Sequence, residues 1–267
     1  MKYKRLAVLA MALCLVLPLA ACSLKPAGPW PEALKPGRRL IQGSGNVVEV
    51  KTQLPDAGRG FALRVNGITL QNSKTDVELV IDESLAREVV LTADDNIAEC
   101  ISVDFDAGPG QIVIDLTRRV VFTPTKLTIA VGAPVRALDV NGAWRFTYNC
   151  PSVKECEVSI DGAANGDFTF GALDTLALTL NGTGNIKLAG TAKQAELRID
   201  GAANIRAFDL TAESAEVTIN GTGNCDITAT KALFADINGL GKVVYGGNPP
   251  DVDYDIDGLG KVEARRN

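Results

Sequence analysis

From about residue 141 onward, apolar and polar residues alternate with a period of two, and glycine breaks the alternation at near-regular intervals. "LALTLN" (176–181), "AELRID" (195–200) and "AEVTIN" (215–220) are typical segments. Strict alternation in segments rich in Leu, Ile and Val predicts half-buried β-strands. Upstream, "FALRV", "DVELVI", "EVVLTA", "ISVDFD", "QIVIDL" and "KLTIAV" predict further strands at less regular spacing. Only "ADDNIAEC" (93–100) has the composition of a helical turn.

The interrupting phrase is itself repeated: IDGAAN, LNGTGN, IDGAAN, INGTGN, INGLGK, IDGLGK. Its glycines, with one forerunner, are Gly142, Gly162, Gly182, Gly201, Gly221, Gly239 and Gly258, spaced by 18 to 20 residues. A fixed period of this size in strand-forming sequence predicts a solenoid in which each repeat is one coil. The expected fold is all-β: a single right-handed parallel β-helix with coils of about 20 residues, each made of two or three short strands. Four residues after each glycine come Phe146, Gly166, Ile186, Ile205, Cys225, Val243 and Val262, an inward apolar column broken at Gly166. About ten coils stacked 4.8 Å apart give a rod of about 50 Å.

Each corner glycine follows Asn or Asp, a dipeptide that supplies positive φ at a tight turn. In a stack these side chains form a column: Asn141, Asp161, Asn181, Asp200, Asn220, Asn238 and Asp257. No two aspartates are adjacent in it, so each carboxylate can accept from an amide one coil away rather than face a second carboxylate. The column is structural on this reading, with no catalytic role.

The phrases "GSGNVVEV" (43–50), "PTKLTIAV" (124–131) and the tandem "NGTGN" and "NGLGK" corners resemble the bacterial family described as putative auto-transporter adhesin, head GIN domain. The resemblance covers about residues 41–267. It implies a right-handed β-helix of the pectin-lyase-like kind behind a lipoprotein signal, with adhesion as the suggested activity and no catalytic residues to carry over. Ala or Leu stands here at many corner positions where the family has Ser.

The first residues read as targeting sequence. "MKYKR" is a positive n-region, and Leu6 to Leu17 is a 12-residue apolar stretch, shorter than the roughly 20 residues that span a bilayer. "LAAC" (19–22) resembles a bacterial lipobox, which implies residues 1–21 as signal peptide, a lipidated Cys22, and palmitate as one acyl group. Membrane attachment through that anchor follows, and Ser23 after the cysteine favours the outer membrane. Residues 22–40 form a tether with prolines at 26, 29, 31 and 36. The solenoid domain then occupies 41–267, with irregular N-terminal coils over 41–140 and regular repeats over 141–267; a separate N-terminal domain is the alternative for the irregular part.

Composition narrows the chemistry. The chain has 267 residues, 27 basic and 32 acidic, and no histidine. An acidic balance without Lys/Arg clusters argues against nucleic acid as a partner. Absence of histidine removes Ser-His-Asp and Cys-His systems and the usual zinc sites. A carboxylate-only polysaccharide enzyme remains an alternative, with Asp104 and Asp106, or Asp167 and Asp226, as candidate pairs. "DYDIDG" (253–258) matches the start of a calcium loop, but position 12 is Ala264, and 255–262 repeats 236–243 at seven of eight residues. A solenoid corner accounts for it, so no metal site and no cofactor are expected. Cys150 and Cys156 bracket a five-residue loop and are a candidate disulfide; the alternative for Cys156 is a core position, equivalent to Leu176 and Leu233. Cys225 falls in the inward column, and the sequence offers no account of Cys100.

The functional expectation is a non-catalytic envelope lipoprotein, an adhesin or binding module using extended strand faces toward an unidentified envelope polymer or protein. A purely structural envelope protein is the second alternative.

Overall fold

The repeat phrase sets the architecture, and the chain is built around it. The computed structural model describes residues 39–266 apart from 57, 59, 67–68, 71–76, 106–107 and 117–119. Cys22, the lipobox, the tether up to residue 38 and Asp106 therefore lie outside the described residues. In chain order the elements are β1 (Arg39–Gln42), β2 (Val47–Gln53), β3 (Phe61–Val65), β4 (Thr69–Leu70), β5 (Val77–Asp82), β6 (Glu88–Asp94) and α1 (Asp95–Ala98). There follow β7 (Ile101–Asp104), β8 (Gln111–Leu116), β9 (Val120–Thr123), β10 (Leu127–Val131), β11 (Val135–Cys150) and β12 (Glu155–Gly221). β13 (Asn224–Gly239), β14 (Lys242–Gly246), β15 (Asp251–Gly258) and β16 (Lys261–Ala264) complete the chain. The one helical turn among the described residues falls within 93–100, where the sequence places it.

From β11 onward the strands stack in parallel as a solenoid of about six turns. The register is that of the repeat: Asn141 pairs with Asp161, Asn220 with Asn238, and Asn238 with Asp257. From Gly142 to Gly239, residues two and four before each corner glycine point inward and are buried, for instance Leu178 with Leu180, Leu197 with Ile199, and Val217 with Ile219. On the other side of the corner, Phe146, Ile186, Ile205, Cys225 and Val243 form the expected column, at most 2% exposed. The gap at Gly166 lies over Phe146, where a Cβ would meet the Phe146 Cβ at 2.7 Å and its carbonyl oxygen at 2.3 Å. The ring of the coil below takes the space. Phe146, Tyr148, Phe168 and Phe170 pack there with ring centroids 5.2–6.4 Å apart, within the range of favourable aromatic contact.

The corner glycines meet a double requirement. From Gly162 to Gly258 their φ values lie between +130° and +144°. A Cβ on any of them would sit 2.0–2.4 Å from the carbonyl oxygen of the corner glycine one coil below. Tight stacking and left-handed backbone both demand glycine here.

The N-terminal part departs from the expectation of about ten continuous coils. Segment 61–82 stacks in parallel on β11, through Leu63 with Leu138 and Leu79 with Phe146. On its other side it carries β8 and β10, through Ile112 and Ile129. The spatial order of these coils is therefore 111–131, 61–82, 135–150, not the chain order. Beyond β10 the direction reverses: β6 runs antiparallel to β10, β7 to β8, and β2 to β6. β1, β9 and β4 form a separate short parallel sheet. Alternation specifies which residues of a strand face inward but not the direction of its neighbour, and without a repeat nothing in the sequence fixes the order.

The "GSGN" phrase at 43–46 clasps this reversed segment. The Gly45 N–H donates to Asp94 Oδ1 at 2.8 Å, and the Thr125 N–H to Asp94 Oδ2 at 2.7 Å. Ser44 Oγ and Asn46 Nδ2 both reach the Asp95 carboxylate, and Asn96 Nδ2 returns to the Gln42 carbonyl. Asp94 is the one fully buried charged side chain among the described residues. Burial pushes its carboxyl up, but the bonds from Thr125, Gly45 and Lys126 outweigh it and hold the group below the usual carboxylate range. Cys100 is buried just after α1, with its thiol on the Asn96 carbonyl at 3.5 Å.

Candidate binding face

Residues one, three and five before each corner glycine point outward, because their neighbours two and four before it point in. The side chains of successive coils then lie in columns across a continuous strand face. Over β12, β13 and β15 that face carries Glu157, Asp161, Glu196, Asp200, Glu216, Asp236, Asp253, Asp255 and Asp257. Arg198 stands among them and is bound by Asp200, with Nε–Oδ2 at 2.7 Å. Its hydrogen bonds, with a smaller contribution from the Asn220 amide, lower the Asp200 pKa against the opposing effect of burial.

A shallow groove of about 620 Å³ crosses this face over five coils. Leu176, Ala195, Ala215 and Leu233 line its bottom, and Glu196, Glu216, Phe234, Asp251 and Asp253 stand along its rim. Phe234 is 40% exposed there, an aromatic side chain between acidic neighbours of the coils on either side. A trough lined about equally by polar and apolar groups, with an exposed ring and a carboxylate rim, can hold an elongated ligand that sets an apolar patch against the ring and bears hydroxyl or cationic groups elsewhere.

The corner column bounds the face. Asn181 Nδ2 donates to Asp161 Oδ1 at 2.8 Å, Asn220 Nδ2 to Asp200 Oδ1 at 2.6 Å, and Asn238 Nδ2 to Asn220 Oδ1 at 3.1 Å. Sequence reasoning missed a second column, three residues after each glycine: Asn165, Asn185, Asn204 and Asn224. Its amides link coil to coil at 3.2, 3.1 and 2.7 Å. The final Asn of the "NGTGN" phrase was the available signal. Where the phrase changes to "NGLGK", Lys242 and Lys261 continue the column and both bind Glu263.

Asn220→Asp is expected to destabilise the solenoid by about 1–2 kcal/mol, since it removes the donor to Asp200 and sets two carboxylates in adjacent coils. Asn185→Asp, which meets only amides in its column, is expected to cost less. Thermal melts of both variants at low and high salt check this; equal Tm values would disprove a repulsive contribution.

The other candidates separate. Asp167 and Asp226 share an outward column, but Lys187 and Arg206 stand between them, so no carboxylate pair forms. Burial raises the Asp226 pKa in spite of Arg206, Lys242 and Arg265 nearby. Asp104 ends β7, and its proposed partner Asp106 is not described. Asp253, Asp255 and Asp257 alternate along one extended strand at about 6.6 Å intervals and do not converge on a point. Among the described residues no group of three Cys, Asp or Glu side chains is placed to hold a metal.

Cys150 and Cys156 are free thiols, not a disulfide, and the loop they bracket does not set the pairing. Both are buried, and the Tyr148 hydroxyl lies 3.3 Å from Cys156 Sγ while donating to the Val135 carbonyl at 2.5 Å. Cys150 bonds the Ala133 carbonyl. Burial pushes the Cys150 thiol up to about 11 and Cys156 up to about 12, which leaves little thiolate near neutral pH. Cys156 occupies the core column of Leu176 and Leu233, and Cys225 is completely buried in the other.

Among the described residues no helix is long and apolar enough to cross a membrane. Comparison with known structures gives several similar folds, three of which follow. A putative adhesin from Bacteroides fragilis matches at TM-score 0.64 and 19% identity, covering 84% of this chain and all of its own. A putative lipid binding protein from Parabacteroides distasonis gives 0.58 at 19% identity, covering 85% and all of its own. A putative adhesin from Parabacteroides merdae gives 0.57 at 21% identity with the same coverage. No curated protein sequence matches the chain. The family model for the putative auto-transporter adhesin, head GIN domain, matches residues 66–249, and the chain belongs to that family.

Proposed function

We propose that this protein is a non-catalytic, lipid-anchored envelope module that binds a polymer or another protein along the acidic strand face. The observation that carries the reading is the groove itself: one trough aligned across five coils, with Phe234 exposed in it. Stacked coils present long faces rather than enclosed pockets, which suits adhesion. The adhesin description of the family and of two structural relatives supports the same class. The relative described as lipid binding shares the fold, but the carboxylate rim here would repel an anionic headgroup. Lipid attachment at Cys22 rests on the "LAAC" sequence, and the outer-membrane reading rests on Ser23 after it.

A glycan array and an envelope-protein binding screen with the purified protein test the face. A ligand bound by the native protein and about tenfold weaker in Phe234→Ala is expected. Turnover of any polysaccharide in a parallel product assay would overturn the non-catalytic reading, and silence in every arm would favour a purely structural role. Labelled palmitate should enter the native protein and not Cys22→Ala; equal labelling refutes the anchor.

A further inference from the structure

The last described coil leaves a strand edge and the end of the core open. β15 pairs with β13 on one side, and no described strand lies on the other; β16 likewise pairs with β14 alone. In the preceding coil the inward residues Leu233, Ala235, Ile237 and Val243 are at most 2% exposed. Their counterparts Val252, Tyr254, Ile256 and Val262 are not buried, and Tyr254, stacked over the small Ala235, is 55% exposed. Leu259 at the adjacent corner is 84% exposed. These side chains form an apolar plate of the shape that receives another coil.

The charges around the plate select what can add to it. Asp251, Asp253, Asp255 and Asp257 alternate along the outward side of β15, all exposed and two residues apart. An added strand places its side chains in the same columns at the same spacing. A second copy of β15 would set aspartate beside aspartate, and an acidic edge is a recognised defence against such self-pairing. A strand with Lys or Arg at alternate positions would set a cation beside each carboxylate and its apolar residues over Val252, Tyr254 and Ile256.

We propose that the β15 edge is a β-augmentation site for an extended cationic segment of a partner protein, alternating basic and apolar residues. Backbone hydrogen bonds supply the pairing, the apolar plate supplies burial, and the aspartates supply selectivity. This site lies at the end of the stack, where the groove across the coils runs out, and shares Asp251 and Asp253 with the groove's rim. What sets it apart is the backbone pairing along the β15 edge, which the groove does not use.

The test uses the purified full chain and a synthetic peptide, Lys-Val-Lys-Val-Arg-Val-Lys. Three comparison peptides accompany it: the same sequence with Glu for each basic residue, a scrambled isomer without alternation, and the original with N-methylated amides along one edge. Isothermal titration should show the basic peptide binding at least about tenfold more tightly than the other three. Binding should weaken with salt, and isotope-edited infrared spectra should show the bound peptide as β-strand. Asp253→Lys/Asp255→Lys, at exposed positions that leave folding intact by circular dichroism, should abolish it. Equal binding of the N-methylated peptide would reduce the effect to general attraction by the acidic face and overturn the proposal. So would retention of binding by the double variant, or self-association that this variant abolishes without any peptide binding, which would make a second copy the occupant.

Discussion

Gly201→Ala should lower stability by about 3–5 kcal/mol, enough to prevent a marginal domain from accumulating in folded form. The added methyl would lie 2.2 Å from the Gly182 carbonyl oxygen, which is backbone and has no rotamer by which to yield. The coil must lift away from its neighbour, and the amide bonds between Asn220, Asp200 and Asn238 beside it would stretch with it. Conformation alone does not account for such a loss. Gly45 has a φ of +84° but nothing within 4 Å of its would-be Cβ, so Gly45→Ala carries only the left-handed backbone penalty of about 1 kcal/mol. Chemical denaturation of both variants separates the two contributions. Similar losses at the two sites would mean that stacking distance is not what the corner glycine protects.

Asp94→Ala should be the most damaging single change outside the regular repeats. It removes the buried carboxylate that accepts the N–H groups of Gly45 and Thr125. Although water can reach those exposed donors, two hydrogen bonds to a charged group at about 1.5–3 kcal/mol each put the loss at a few kcal/mol. The expected readout is local: hydrogen exchange accelerates in 43–48 and 123–127 before it does in β12. The same bonds give a pH dependence. The folded pKa of Asp94 is depressed, so its contribution is fully present above the ordinary carboxylate value near 4 and is lost as pH falls through the lower folded value. The clasp should therefore open in acid, while Asp94→Asn should be weakened at neutral pH and nearly insensitive to acid. An unchanged acid transition in that variant would show that another carboxylate governs it.

How much of this was readable beforehand follows from where the sequence repeats itself. The coil, its register and both inward columns are legible from 141 onward, because a period near 20 and an alternation of two together fix neighbour and facing along the repeats. The outward faces were legible as positions but not as a site. Glu196, Glu216 and Phe234 are about 20 residues apart, and their alignment into one groove needs the stack. The N-terminal strands were legible one by one. Their order and direction were not, since the contacts that decide them, such as Leu63 with Ile112 and Leu91 with Ile129, lack any repeated signal. "GSGN" reads as a corner by composition, whereas its glycine and serine serve Asp94 and Asp95 across about 50 residues. The spacing of Cys150 and Cys156 suggested a bridge, whereas the alternation around Cys156 already pointed it into the core.

The out-of-order coils impose a sequence of assembly on the chain. Each turn of the regular stack closes on residues 18–20 positions back, as in the bonds from Asn220 to Asp200 and from Asn238 to Asn220. Segment 61–82 instead waits for partners far downstream: Arg64 meets Asp139 across 75 residues, and Asp82 meets Asn149 across 67. Closing loops of that length costs only about 1 kcal/mol more than closing one period. The delay is therefore topological rather than energetic. A chain that emerges from its N-terminus exposes one flank of 61–82 until β11 has followed it. Past that point every new turn finds its neighbour already in place, so the half of the molecule made last is the half that can zip as it arrives.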